Sequence, residues 1–204
     1  MDNAVALVQT YLRVNGYFTV TEYPVIAARA KGEYRTATDL DVLAFRFPHA
    51  GRLVPGKSAD RDENPFSVDD ALQTSTEHAD MLIGEVKEGR AQLNEAASDP
   101  AVLRAVLAGF GCCSREDAPR IAGELLRAGE ALLPSGHRIR MAIFASIANG
   151  DDRPRRLVIT LGHVVRFLRA YIDEHWEVLR HSDTKDPAFG FLMTLAKAER
   201  GMTP

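Results

Sequence analysis

The chain has 204 residues, enough for one domain that buries its own core without cross-links. Its 46% hydrophobic and 26% charged residues exclude a wholly disordered or collagenous chain. A net charge of −3, from 25 basic and 28 acidic residues, excludes coating of nucleic acid or anionic membrane by bulk charge, though not a local basic groove. The two cysteines, Cys112 and Cys113, are adjacent, which disfavours a disulfide and a zinc site and favours a reducing, cytoplasmic compartment. They read as small hydrophobes at a helix end. No run of about 18 apolar residues occurs, so no membrane span is expected, and the start MDNAVALVQT lacks the basic region of a signal peptide.

Residues 2–14 place Val5, Val8, Tyr11 and Leu12 at helical spacing, with Asp2 or Asn3 to cap the start and Asn15-Gly16 to stop it. Residues 17–30, YFTVTEYPVIAARA, predict a strand that Pro24 confines to an edge or a bulge. After a turn at KGEYRT, residues 38–47 predict a second strand and so a hairpin. Residues 48–79 are polar, rich in Gly, Pro and Asp, and carry Arg52, Lys57 and Arg61; they are expected as an insertion, either a substrate loop or a disordered one. Residues 80–87, DMLIGEVK, predict a third strand. Arg90–Ala97, Pro100–Gly109 and Asp117–Ala131 predict helices, 137–148 a central strand and 157–160 a short one. Thr160 caps a long helix from Leu161 to about His181, and Asp186–Arg200 form a last helix, so 161–204 is a helical extension of a single domain over 1–204. Strands and helices alternate in the second half, which predicts an α/β sheet covered on both faces.

Two predicted strands carry acids where a core strand should be apolar. Period-two alternation puts Asp39 and Asp41 on one face with Leu43 and Phe45, and Glu85 and Lys87 on one face with Met81 and Ile83. Ionised carboxylates there are costly unless exposed, paired or bound to a cation. If the strands are neighbours, Asp41, Glu85 and Lys87 converge at one end of the sheet. Two carboxylates and a backbone carbonyl supply hard oxygen ligands for Mg²⁺ or Mn²⁺. Such an ion polarises a phosphodiester and acidifies a bound water, and a lysine beside it holds that water or offsets charge on the phosphorane. Asp41, Glu85 and the Val86 carbonyl are then the metal ligands, Lys87 the catalytic partner, and Asp39 an outer ligand or a ligand to a second metal.

Asp41 in DLDVLAF followed by Glu85-Val86-Lys87 in LIGEVKEG resembles the PD-(D/E)XK nuclease signature. That superfamily includes restriction endonucleases, archaeal Holliday junction resolvases and many repair nucleases. The resemblance covers the N-terminal helix through about residue 95, and loosely the strand and helix beyond. It implies an αβββαβ restriction-endonuclease-like core with a mixed sheet, and metal-dependent cleavage of nucleic acid, DNA rather than RNA. It departs from the pattern where Leu40 stands for the usual proline and in the length between the motif strands. Many members also carry a metal-site acid on the first helix, where this chain offers Asp2 and Gln9; Gln9 or Glu22 are the substitutes available. A second acid-x-Lys tripeptide, Asp183-Thr184-Lys185, lies in a polar break between helices and is set aside.

Around the motif, Arg90, Gln92 and Asn94 are candidates to contact a substrate phosphate or to cap the next helix. Whether a basic groove exists turns on the placement of Arg90, Arg138, Arg140, Arg153, Arg155 and Arg156. The six histidines lack metal-ligand spacing, and Trp176 reads as a packing anchor. Two other readings stay open: a catalytically inactive module on the same fold that binds nucleic acid or a protein partner, and an unrelated α/β protein with a surface ion pair at Glu85 and Lys87. A homodimer is compatible with the size, although no segment marks its interface.

Overall fold

The computed structural model describes residues 2–28, 34–51, 68–148 and 156–201. Helix α1 (Asn3–Val14) starts where the Asp2 carboxylate accepts the Ala4 N–H at 2.9 Å. It ends at Val14, and the chain turns at Gly16, whose φ of 84° suits glycine and where a Cβ would lie 3.2 Å from the Ala50 backbone. Strands β1 (Phe18–Ala28), β2 (Tyr34–Arg46) and β3 (Ala79–Arg90) form an antiparallel meander. Helices α2 (Pro100–Phe110) and α3 (Ala118–Ala128) lead through β4 (Glu130–Leu132) to β5 (His137–Ile147), which lies parallel to β3. Then come β6 (Leu157–Thr160), α4 (Leu161–Glu174), the single turn α5 (Trp176–Leu179) and α6 (Pro187–Glu199). The sheet order is β1-β2-β3-β5-β4, and β6 also pairs with β5. Because β4 pairs with Arg138–Arg140 and β6 with Ala142–Ala145, the two short strands share the outer edge of β5.

The result is an α/β domain with a mixed, open, six-stranded sheet flanked by helices. One face packs Val42, Leu82 and Phe144 against Val8 and Leu12 of α1, Val164 and Leu168 of α4 and Met193 of α6. The other packs Leu43, Met81, Ile83 and Met141 against Leu103 and Leu107 of α2 and Ile121 and Leu125 of α3. Burial on both faces explains why β3 and β5 read as nearly continuous apolar runs. Cys112 and Cys113 are free and half-buried against this second face, and burial pushes the Cys112 thiol up to about 11. Among the described residues, no helix is long and apolar enough to cross a membrane.

Several expectations need correction. The helix expected over Arg90–Ala97 does not form: β3 continues to Arg90, and Ala91 donates to the Ile147 carbonyl at 2.8 Å. Pairing with β5 takes the backbone groups a helix would have used, and only a 3₁₀ turn at Ala96–Ser98 precedes α2. The helix expected to reach Ala131 stops at Gly129, with φ 80°, and Glu130–Leu132 is strand β4. The long helix from Leu161 breaks at His175.

The insertion expected over 48–79 is also shorter. Arg52, Lys57 and Arg61 lie outside the described residues, but the stretch after Val68 belongs to the fold. Asp69 caps a 3₁₀ turn at Asp70–Leu72, accepts the Tyr11 hydroxyl at 2.7 Å and lies 2.6 Å from Nε2 of His163; Leu72 is fully buried. Before it, the Arg46 guanidinium is buried and donates to the carbonyls of Asn15, Pro48 and Ala50.

Arg140 is not available to a basic groove. Its side chain is buried on β5 and grips Asp80 of β3 through Nε–Oδ1 at 2.8 Å and Nη2–Oδ2 at 2.5 Å. Tyr17 donates to the same carboxylate at 2.5 Å, and Arg140 also donates to the Leu72 carbonyl at 2.8 Å. Arg138 is tied to Glu130 at 2.6 Å and to the Gln73 carbonyl, and Arg153 and Arg155 lie outside the described residues. Removing one member of a buried, hydrogen-bonded pair strands the other charge. Asp80→Ala should therefore cost about 3–5 kcal/mol in urea unfolding, and the paired change Asp80→Leu with Arg140→Met should cost less than Asp80→Ala alone.

Candidate active site

The β2–β3 ladder runs from Arg46 opposite Asp80 to Val42 opposite Gly84 and stops there. At Gly84 the strands are close: a Cβ on this glycine would lie 3.4 Å from the Val42 carbonyl and from the Phe144 ring. Immediately beyond, Asp41 bridges the parting strands with its side chain, Oδ2 accepting the Val86 N–H at 2.7 Å. In an antiparallel strand the N–H and C=O of one residue point to the same side. The Val86 carbonyl therefore faces the same gap.

Glu85 and Lys87 flank Val86. Nζ of Lys87 lies 2.5 Å from Oε1 of Glu85, and their side chains are 37% and 4% exposed. The carboxylate is thus sunk in the sheet while the ammonium reaches solvent. In the β3–β5 register Ile143 stands beside Glu85 and Ala145 beside Lys87, so the floor on that side is apolar.

This setting decides the titration of both acids. Burial pushes Asp41 above the ordinary carboxylate range; the Val86 amide and Lys87 oppose that, and the charges of Asp2 and Glu22 add to it. Glu85 is likewise pushed up by burial, held down by its bond to Lys87 and pushed up by Asp41. Asp2, Glu22, Asp41, Glu85 and Lys87 thus form one electrostatic cluster.

Of the residues singled out from sequence, Asp41, Glu85, Val86 and Lys87 come together at one end of the sheet. Glu22 joins them, because Thr21 pairs with Val42 and Tyr23 with Leu40, leaving Glu22 facing Asp41. Gln9 is buried on α1, and the α1 contribution comes instead from Asp2, whose signal was an acid at a helix start. Asp39 is exposed farther along β2, opposite Pro24, and is not among the groups that shift Asp41 or Glu85. Arg90 ends β3, while Gln92 and Asn94 are exposed in the loop after it; capping of the next helix falls to Asp99. Trp176 is a packing anchor with the Arg200 guanidinium 4.1 Å above its ring. Sequence reasoning missed the role of His163, which braces Asp69 from 94 residues away.

No protein-family model, curated protein or solved structure matches the chain.

Among the described residues, no three His, Cys, Asp or Glu side chains cluster closely enough to hold a metal ion between them. The donor set is two acids and one backbone carbonyl. Mg²⁺ commonly binds through one or two carboxylates and keeps several waters, so these donors suit a hard, partly hydrated ion rather than an all-protein cage.

A carboxyl group whose pKa is raised by folding contributes its full stability below the unfolded value and loses it as pH rises through the folded value. At neutral pH, Asp41 therefore weakens the metal-free fold. Asp41→Asn keeps an oxygen for the Val86 amide and should raise stability at pH 7 by about 0.5–2 kcal/mol, the range for relieving a functional site. In denaturant unfolding followed against pH, this gain should vanish as pH falls below the ordinary Asp value of 3.8.

Proposed function

We propose that the chain is a divalent-metal-dependent nuclease acting on DNA, built on a restriction-endonuclease-like core. The observation that carries this reading is the Asp41 carboxylate lying across the β2–β3 gap on the Val86 amide, next to the Glu85–Lys87 pair. The order of one helix, three antiparallel strands, helices and a parallel strand supports it, as does the resemblance of the Asp41 and Glu85-Val86-Lys87 segments to the PD-(D/E)XK signature. DNA rather than RNA follows from that resemblance.

Asp41, Glu85 and the Val86 carbonyl would hold Mg²⁺ or Mn²⁺. When bound, such an ion polarises the scissile phosphate and acidifies a coordinated water. The Val86 amide occupies one oxygen of Asp41 and so orients the other. Lys87 has three N–H donors: one keeps Glu85, and the others face solvent, where they can hold the attacking water and then meet charge building on the phosphorane. Both acids are pushed up in the metal-free protein, so metal binding, which needs them ionised, should weaken as pH falls through that raised range. Arg138 and Arg140 are committed to the fold, and with a net charge of −3 on the chain DNA binding should be modest and salt-sensitive.

The direct Glu85–Lys87 contact and the sequestered arginines also suit a second reading, an inactive module on the same fold that binds nucleic acid or protein. Cleavage of plasmid and linear DNA in Mg²⁺ or Mn²⁺ separates the two. The nuclease should lose about 100-fold or more of its rate in Asp41→Ala, Glu85→Ala and Lys87→Ala, and all of it in EDTA. Calorimetry should show metal binding that Asp41→Ala abolishes. DNA binding without cleavage would support the module, and cleavage equal in wild type and Lys87→Ala would expose a contaminant and remove the nuclease reading.

A further inference from the structure

Side chains in a regular strand stand perpendicular to the sheet, whereas ladder N–H groups lie within it. The Asp41 carboxylate nevertheless accepts a ladder N–H from the next strand. Something must tip Asp41 into the plane of the sheet, and the packing of its neighbours shows where that happens. Val42 and Ala44 point into the core shared with α1, Leu43 into the core shared with α2. Strict alternation would send Leu40 to the first of these with Val42, yet Leu40 packs in the second with Leu43. One step of alternation is lost at Asp41.

The partner strand loses the same step. Directly opposed residues share a face, so Val20 opposite Leu43 and Tyr23 opposite Leu40 share one, although they are three residues apart. The register on either side of the defect is unchanged, so neither strand gains a residue there. Both backbones turn together between the Thr21–Val42 and Tyr23–Leu40 pairs, where Glu22 faces Asp41. Glu22 is in the left-handed region, with φ 52°. A non-glycine residue in that conformation within a strand is held there at a cost.

We propose that Glu22 is a positioning residue: its left-handed backbone forms the shared kink that tips Asp41 into the plane of the sheet and onto the Val86 amide. The proposal takes its catalytic consequence from the nuclease reading, whereas its geometry concerns the free protein. The residue's tolerance for positive φ is what matters, rather than its charge.

A substitution series at Glu22 separates these properties, read as hydrogen exchange and chemical shift of the Val86 amide in the full chain. Glycine and asparagine accept positive φ and lack the carboxylate, whereas the β-branched Val and Thr resist it. Glu22→Gly and Glu22→Asn should keep the wild-type Val86 shift and protection. Glu22→Val and Glu22→Thr should lose about tenfold or more in protection, as expected when a hydrogen bond to a charged group is broken. Where cleavage is measurable, kcat should follow the same order. Wild-type protection of Val86 in Glu22→Val, or its loss in both Glu22→Gly and Glu22→Asn, overturns the proposal. If the β-branched variants do not fold, the glycine and asparagine arms still decide. A series that orders as expected with no cleavage in any form, wild type included, leaves the positioning role standing and removes the nuclease reading instead.

Discussion

The buried pair of Asp80 and Arg140 sets the frame for everything else in the molecule. It joins β3 to β5 at one end of the sheet, with Tyr17 and the Leu72 carbonyl completing its hydrogen bonds. Arg46 stands opposite Asp80 in the β2–β3 register and is itself held by four carbonyls. A one-residue slip of β3 would strand these charges in the core and turn its buried row to the other face. Register is therefore locked where the strands are close. Five residues farther along β3, roughly 16 Å at strand rise, the same lock fixes the height of Glu85 against Asp41. There the strands are free to part without sliding.

The two ends of the sheet handle charge in opposite ways. At the Asp80 end, each buried ion has a partner and its lone pairs or protons are used. At the Asp41 end, the half-buried Asp41 and the buried Glu85 face each other with Asp2 and Glu22 nearby and one lysine to balance them. The first arrangement gives a unique register; the second stores unfavourable electrostatic energy that a cation would relieve. Placing both on β3 lets a rigid, stable end support a destabilised one, which is how a site can keep its geometry while resisting its own charges.

What was legible in the sequence was what local chemistry decides. The α1 cap at Asp2, the cap at Thr160 and the apolar runs of β3 and β5 depend on neighbours in the chain and are present, although β3 continues to Arg90 rather than stopping at Lys87. The pairing of Asp41 with the Glu85-Val86-Lys87 segment was legible because two short motifs each implied a strand. The rest depended on distant partners. The helix expected at Arg90–Ala97 yielded to pairing with β5, and β4 exists because β5 offers it an edge. Asp69 sits in a polar stretch with no periodicity, and its partners Tyr11 and His163 are 58 and 94 residues away. The kink at Glu22 leaves no local trace, since Thr-Glu-Tyr contains none of the residues that usually signal positive φ.

The half-buried cysteine pair bears on how the molecule can be handled. A thiol with a pKa of about 11 carries roughly one thiolate in ten thousand at neutral pH. Burial pushes Cys113 up as well. Burial thus disfavours the reactive thiolate at both positions, and a cysteine introduced on an exposed strand or helix position should react faster with maleimides. Dyes, spin labels or surface tethers can then be attached at one chosen point without removing Cys112 and Cys113 from the core they help to fill.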